Sequence, residues 1–150
     1  RQVLPESALV CGTADGYLSI YSTSSMQLLD EIHACAPGEG VNHLCMEAST
    51  TFVVTGDSSG RIKVWDVSNL GKRWPTEREF RYMALMSHFD VPSMGSTTLL
   101  YSWRAHPRGI CHVEYLTGID GVITASSDCT VRMWTLSGEQ VDVAKRAPPP

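Results

Sequence analysis

The sequence lacks an excess of positive charge and a long apolar run. Its formal net charge is −4, from 12 Lys and Arg residues against 16 Asp and Glu residues. Nucleic-acid binding usually needs a positive surface that displaces counterions. No apolar run approaches the ~18 residues that span a membrane. We therefore expect neither a nucleic-acid partner nor a membrane partner.

The sequence also lacks an initiator methionine, and it ends in three prolines. We expect an excerpt of a longer polypeptide whose residues 144–150 form a Pro-rich tail. Its 43% hydrophobic content is ordinary for a globular fold with a buried core.

Closely paired cysteines are a further absence. The chain has five cysteines, an odd number, and no C-x-x-C pair, whereas zinc sites usually show short paired spacings. We expect reduced structural thiols, as in the cytoplasm, and no cofactor. A single disulfide or a metal ligand remains as an alternative. The cysteines are Cys11, Cys35, Cys45, Cys111 and Cys129.

What the sequence does contain is a repeat. Three ten-residue segments align without gaps, and each begins with a small residue and ends on an aromatic residue. An apolar run precedes each segment, then a short turn, then strict alternation of apolar and polar residues. This order predicts a β-hairpin with one buried face. The segments cover residues 12–21, 56–65 and 125–134.

The terminal aromatics give the period of the repeat. Tyr21 and Trp65 are 44 residues apart, which matches the ~40–45 residues of a four-stranded propeller blade. Trp65 and Trp134 are 69 residues apart, which is one such period plus an insertion.

These motifs resemble the WD-repeat family. The resemblance rests on Val64-Trp65-Asp66, on Ala105-His106 and on the segment 126–134. It implies an all-β fold, a partial β-propeller of about three four-stranded antiparallel blades. The repeats would cover about 8–32, 33–104 with an insertion at 67–98, and 105–143. Because propellers use about four to eight blades, three cannot close a ring.

The resemblance also implies a hydrogen-bonded network in each blade. A buried Trp needs an acceptor for its indole N–H, a Ser or Thr hydroxyl supplies it, and a His–Asp pair completes the chain. In the third repeat these positions are His106, Ser126, Asp128 and Trp134. In the second they are His33, Asp57, Ser59 and Trp65, with the Asp and Ser in swapped order. The first offers Thr13, Asp15 and Tyr21.

The same residue types occur in hydrolases. His106, Asp128 and Ser126 are the three types of a catalytic triad. A nucleophilic serine needs exposure and an oxyanion hole, whereas this one is expected in a strand. We therefore interpret the three residues as structural, and expect neither an enzyme nor a small-molecule substrate.

The insertion is the main departure from the repeat. Thr76 and Glu79 form a capping-box pattern, and an apolar stripe then predicts a short helix near 77–88. The helix could pack on its own propeller, bind a partner on the bottom face, or be disordered. Its candidate contacts are Trp74, Phe80, Tyr82, Met86 and Phe89.

These features predict a non-catalytic scaffold that binds other proteins of a multi-subunit assembly. Residues 102–106 and 127–134 also resemble large ciliary and flagellar WD-repeat proteins, which implies an axonemal location. One alternative is a module that reads a modified peptide, with Arg104 and Arg108 pairing to phosphate. Another is a regulatory domain of an enzyme whose catalytic part lies elsewhere.

Overall fold

The described part of the chain consists of three antiparallel sheets. The computed structural model describes residues 8–23, 26–46, 51–68 and 97–145, and all regular structure within these ranges is β-strand. The prediction of an all-β fold outside the insertion is therefore confirmed for these residues. The first sheet contains β1 (Ala8–Gly12), β2 (Tyr17–Ser22) and β3 (Leu28–His33); the second β4 (Val41–Met46), β5 (Phe52–Asp57), β6 (Arg61–Asp66) and β7 (Thr98–Arg104); the third β8 (Ile110–Leu116), β9 (Gly121–Ser126), β10 (Thr130–Thr135) and β11 (Gln140–Lys145).

Each predicted hairpin forms as an antiparallel pair closed by a tight turn. The pairs are β1–β2, β5–β6 and β9–β10. Gly16 and Gly60 adopt φ angles of 92° and 93°, in the left-handed region that glycine enters without steric cost. The third turn places Cys129 at the equivalent position with φ 68°. A side chain there carries a strain that the other two turns avoid.

Two apolar cores lie between neighbouring sheets. Successive side chains of a strand point to opposite faces, so Val53 and Val54 of β5 enter different cores. Val53 joins Leu18 of the first sheet, whereas Val54 joins Val122 of the third. The second sheet is therefore covered on both faces, and the three sheets stack side by side.

Glycine also permits the close approach of neighbouring sheets. A Cβ at Gly12 would lie 2.4 Å from the side chain of Val41, the first residue of the next sheet. A Cβ at Gly56 would lie 2.4 Å from Ile110, which is the matching residue one sheet further on. The same device therefore positions both contacts between sheets.

The insertion connects two adjacent strands, β6 and β7. Asp66 of β6 and Thr98 of β7 are register partners, so the two ends of the excursion lie side by side. Strand β7 begins at Thr98, the last residue of the predicted insertion. The predicted helix at 77–88 lies outside the described residues.

Candidate functional site

The third sheet holds a chain of hydrogen bonds that begins at Trp134. Its indole N–H donates to Thr124 Oγ1 over 2.9 Å. Thr124 Oγ1 lies 2.8 Å from His106 Nε2, and His106 Nδ1 lies 2.9 Å from Asp128 Oδ2. Trp134, Thr124 and His106 are buried. The structure brings together Trp134, His106 and Asp128, which the sequence analysis grouped.

The donors and acceptors of this chain can be assigned from their chemistry. The Asp128 carboxylate can only accept a hydrogen bond, so His106 Nδ1 carries the hydrogen and donates to Asp128. Thr124 Oγ1 accepts from Trp134, and in the tautomer with the hydrogen on Nδ1 its hydroxyl donates to His106 Nε2, while Arg132 O lies 3.4 Å away as a second acceptor. Each buried polar group of this hydrogen-bonded network thus has a partner, and the network fixes the position of the loop that carries His106.

Hydrogen bonds govern the charge of Asp128. Burial raises the pKa of its carboxyl group, but hydrogen bonds from Thr130 and His106 lower it, and the net pKa lies below the ordinary value of 3.8. The Thr130 hydroxyl donates to Asp128 Oδ1 over 2.7 Å and the Thr130 amide over 2.8 Å. The carboxylate is therefore a fixed anion that closes the turn.

The prediction that Ser126 accepts from Trp134 is wrong. The Ser126 hydroxyl bonds to the carbonyl oxygens of Arg108 and Gly109 over 3.1 and 2.9 Å. Thr124, two residues earlier, lies on the same face of β9 and one step closer to the Trp. Period-two alternation makes the two hydroxyls equivalent in sequence, and only the register Trp134↔Val122 distinguishes them.

The geometry also argues against a catalytic triad at these residues. Ser126 is buried and its hydroxyl is directed at backbone carbonyls, while His106 Nε2 faces Thr124. The histidine therefore cannot take a proton from Ser126 in this arrangement. His106, Asp128 and Ser126 act as structural groups.

The second sheet repeats the Trp–Thr bond but lacks the histidine. Trp65 Nε1 donates to Thr55 Oγ1 over 3.0 Å. His33 was predicted to complete this network, and that prediction is wrong. His33 is exposed at the end of β3, with its ring centroid 4.1 Å from that of Tyr17.

Cys35 occupies the position of the missing imidazole. The amides of Ala34 and Cys35 both donate to Gly16 O, as those of Ala105 and His106 donate to Gly60 O. Burial, with the nearby Asp57 carboxylate next in size, raises the pKa of the Cys35 thiol to about 11. The thiol therefore stays neutral. The shared alanine was the sequence signal for this position.

The swapped Asp and Ser of the second repeat form a turn of their own. Asp57 Oδ1 accepts from the Ser59 amide, the Ser59 hydroxyl and the Arg61 amide, at 3.0, 2.7 and 2.9 Å. Asp57 therefore closes its turn from the first position, whereas Asp128 does so from the third. The Lys63 ammonium donates to Ala34 O, as Arg132 donates to Ala105 O.

The first sheet lacks the network. Cys11 stands at the position of Thr124, and Tyr21 is half-buried. Thr13 accepts from the Tyr17 amide over 2.9 Å and so closes its turn, while Asp15 is exposed. Thr13 thus has the turn-closing role of Asp57, and this blade relies on apolar packing.

Of the candidate partner contacts, the structure describes two. Arg104 Nε and Nη2 donate over 3.4 Å to the carbonyl oxygens of His106 and Pro107, respectively. The guanidinium group therefore stabilises the loop between β7 and β8. Arg108 is exposed. The five candidates of the insertion, Trp74, Phe80, Tyr82, Met86 and Phe89, lie outside the described residues.

Among the residues that the structure describes, no group of three or more His, Cys, Asp or Glu side chains is arranged to hold a metal ion. No helix within the described ranges is long and apolar enough to cross a membrane.

The sequence was compared with families and curated proteins. The family model "WD domain, G-beta repeat" matches residues 29–66 and 97–135. The chain is 27% identical, over 94% of its length, to the "WD repeat-containing protein on Y chromosome" of Anopheles gambiae. It spans 15% of the length of that relative.

Solved structures share the fold. The RRP9 WD40 repeats match with a TM-score of 0.68 at 15% identity, over 94% of this chain and 36% of that one. The computationally designed Ika8 protein matches with 0.65 at 19% identity, over 94% and 34% of the two chains. The designed Ika4 protein matches with 0.64 at 19% identity, over 93% and 67%.

Proposed function

Because this chain belongs to the WD40 repeat family, we propose that it is a non-catalytic scaffold module that binds other proteins of a multi-subunit assembly. One observation carries the proposal. The three residues that match the types of a catalytic triad are engaged within the fold: His106 and Asp128 bond to each other, and Ser126 bonds to backbone carbonyls. What these loops offer to a partner is their shape and their exposed residues.

The exposed turn positions favour contact over chemistry. Ala14, Ser58 and Ser127 occupy the same place in the three hairpin turns, and all three are exposed, small and uncharged. Such residues present backbone and a flat surface to a partner. The hydroxyls of Ser58 and Ser127 form hydrogen bonds with the backbone of Gly40 and Gly109.

An axonemal assembly in the cytoplasm of a cilium is the more specific form of this proposal. It rests on the resemblance carried by residues 102–106 and 127–134. Residues 102–106 contain the end of β7 and the start of the loop before β8. Residues 127–134 contain the third hairpin turn and most of β10. Location in the cell would be tested by imaging the tagged full-length protein.

The peptide-reading alternative loses one of its two candidate residues. Arg104 is directed at the carbonyls of His106 and Pro107, so pairing with phosphate would cost both contacts. Both side chains are exposed, but among the described residues only Arg108 makes no contact with a loop carbonyl.

The experiment is native-mass analysis of the full-length protein captured from its own cells, with and without phosphatase treatment. The scaffold proposal predicts a stoichiometric complex larger than the protein alone, and it predicts that phosphatase leaves the complex intact. A monomer without stoichiometric partners contradicts the proposal. Loss of the partners after phosphatase favours the peptide-reading alternative, and Arg108→Ala would then abolish binding.

A further inference from the structure

The contact between β4 and β8 joins the second sheet to the third through side chains. Asn42 Nδ2 donates to Ile110 O over 3.0 Å. The Val113 amide donates to His43 Nδ1 over 3.2 Å. The backbone of Tyr115 forms a hydrogen bond with the Cys45 thiol. Side chains of one inner strand therefore satisfy backbone groups of the next, and we call this contact the seam.

Only one of the three seam side chains belongs to a residue type whose ordinary pKa lies near neutral pH. The Asn42 amide does not titrate. Burial raises the pKa of the Cys45 thiol to about 11, so it stays neutral. His43 is an imidazole, whose ordinary pKa is about 6.5. Its response to acid therefore decides the response of the seam.

The seam requires a neutral His43. An amide N–H can donate to Nδ1 only when that nitrogen carries no proton. Protonation would turn Nδ1 into a donor that faces the donor Val113 N–H. In the folded protein, burial lowers the pKa of His43, the nearby His112 lowers it further, and the Val113 backbone has a smaller opposing effect, so the net pKa lies below 6.5.

A second imidazole adds repulsion in acid. The ring centroids of His43 and His112 lie 4.4 Å apart. Glu114 Oε2 lies 3.7 Å from His112 Nε2, but both side chains are more than half exposed, so solvent weakens this attraction. Two protonated rings at this distance would repel each other across the seam.

Other titratable groups near the seam offer little compensation. Strand β9 carries no titratable side chain, and the Asp57 carboxylate of β5 is engaged in its own turn. The titratable groups on the strands packed against His43 are Cys11 of β1, Cys45 of β4, Asp57 of β5, and Cys111, His112, Glu114 and Tyr115 of β8.

We propose that the seam is an acid-sensitive joint, in which protonation of His43 breaks its hydrogen bond with the Val113 amide and loosens the contact between β4 and β8. The rest of each sheet keeps its own ladder of hydrogen bonds. Acid therefore changes the joint between two sheets before it unfolds either one.

The test is hydrogen exchange of the full-length protein, measured by mass spectrometry between pH 7.5 and about pH 5.5 and expressed as protection relative to the unfolded chain. We expect protection of residues 110–116 to fall in acid by up to about tenfold, because uptake of one proton matters only below the ordinary imidazole pKa of about 6.5 and changes an equilibrium by at most tenfold per pH unit. Protection of residues 121–126, in the interior of the third sheet, should stay constant.

Two variants separate His43 from other histidines. His43→Asn supplies an acceptor that does not titrate, so protection of residues 110–116 should become independent of pH. His33→Asn, at an exposed site outside the seam, should behave as the unmodified protein does. The comparison of 110–116 with 121–126 in the unmodified protein needs no variant. Equal loss in both segments, or an unchanged response in a folded His43→Asn protein, would overturn the proposal.

Discussion

Trp134 combines apolar burial and polar satisfaction in one side chain. It is 6% exposed and donates to Thr124. We expect Trp134→Ala to lower the free energy of unfolding by about 3–5 kcal/mol, through a cavity and an orphaned polar partner. Tyr21→Ala should cost less, because Tyr21 is half-buried and Cys11 replaces the threonine there. Urea unfolding of the full-length protein gives both values, and equal or reversed costs would refute the role of the network.

Asp128 makes part of the stability depend on pH. Because its pKa is lower in the folded state than the ordinary 3.8, its contribution is complete above that value and is lost as the pH falls through the folded pKa. Asp128→Asn should cost about 1–3 kcal/mol at neutral pH. The difference in unfolding free energy between the two proteins should shrink with acid below 3.8. A difference that stays constant down to about pH 2 would mean that the carboxylate charge is not involved.

At the residue scale, the sequence predicted the network but not all of its members. His106, Asp128 and Trp134 were identified because the motif fixes their spacing. Thr124 was missed because Ser126 lies on the same face of the strand. Cys35 was missed because the search was for an imidazole, and His33 lay nearby. Each error is a shift of two positions along the sequence. Strand register decides between Thr124 and Ser126, and loop geometry decides between Cys35 and His33.

At the scale of the element, the hairpin turns differ in backbone strain. Cys129 adopts φ 68°, where Gly16 and Gly60 occupy the same position in the other turns. Cys129→Gly relieves about 1–2 kcal/mol of strain, offset by the flexibility of glycine in the unfolded chain. We expect a net stabilisation of about 0.5 kcal/mol by urea unfolding.

The matched control is Gly60→Ala. A Cβ at Gly60 would lie 2.1 Å from His106 O and 2.5 Å from Arg108 O, so the turn packs tightly under the following loop. This substitution should cost about 2–3 kcal/mol. If Cys129→Gly destabilises the protein by a similar amount, the strain argument is wrong.

Secondary structure was the most predictable level. Alternation with period two, a tight turn and a closing aromatic residue predicted the hairpins β1–β2, β5–β6 and β9–β10. The pattern carries this information because a strand with one face buried must alternate. Contacts between sheets, such as Gly56 against Ile110 or Val113 with His43, depend on residues about 54 and 70 positions apart. No local pattern encodes them.

At the scale of the whole molecule, the described sheets stack on one another and one large insertion departs from the second sheet. Both faces of the second sheet are covered by apolar cores, and the ends of the insertion are held together by the Asp66–Thr98 pair. The blade should therefore tolerate the loss of the insertion, since a short turn can bridge adjacent strands. We propose that the insertion supplies the partner contact, through the aromatic residues predicted from its sequence.

The most direct measurement is partner recovery from cells that express the full-length protein with residues 72–96 replaced by a short Gly-Ser turn. Unfolding of the purified variant is measured in parallel, and Arg108→Ala, which leaves the insertion intact, serves as the control. We expect the deletion variant to unfold at the same urea concentration as the unmodified protein but to lose stoichiometric partners, whereas Arg108→Ala should retain them. If a deletion variant that folds normally recovers every partner, the insertion is not the partner contact.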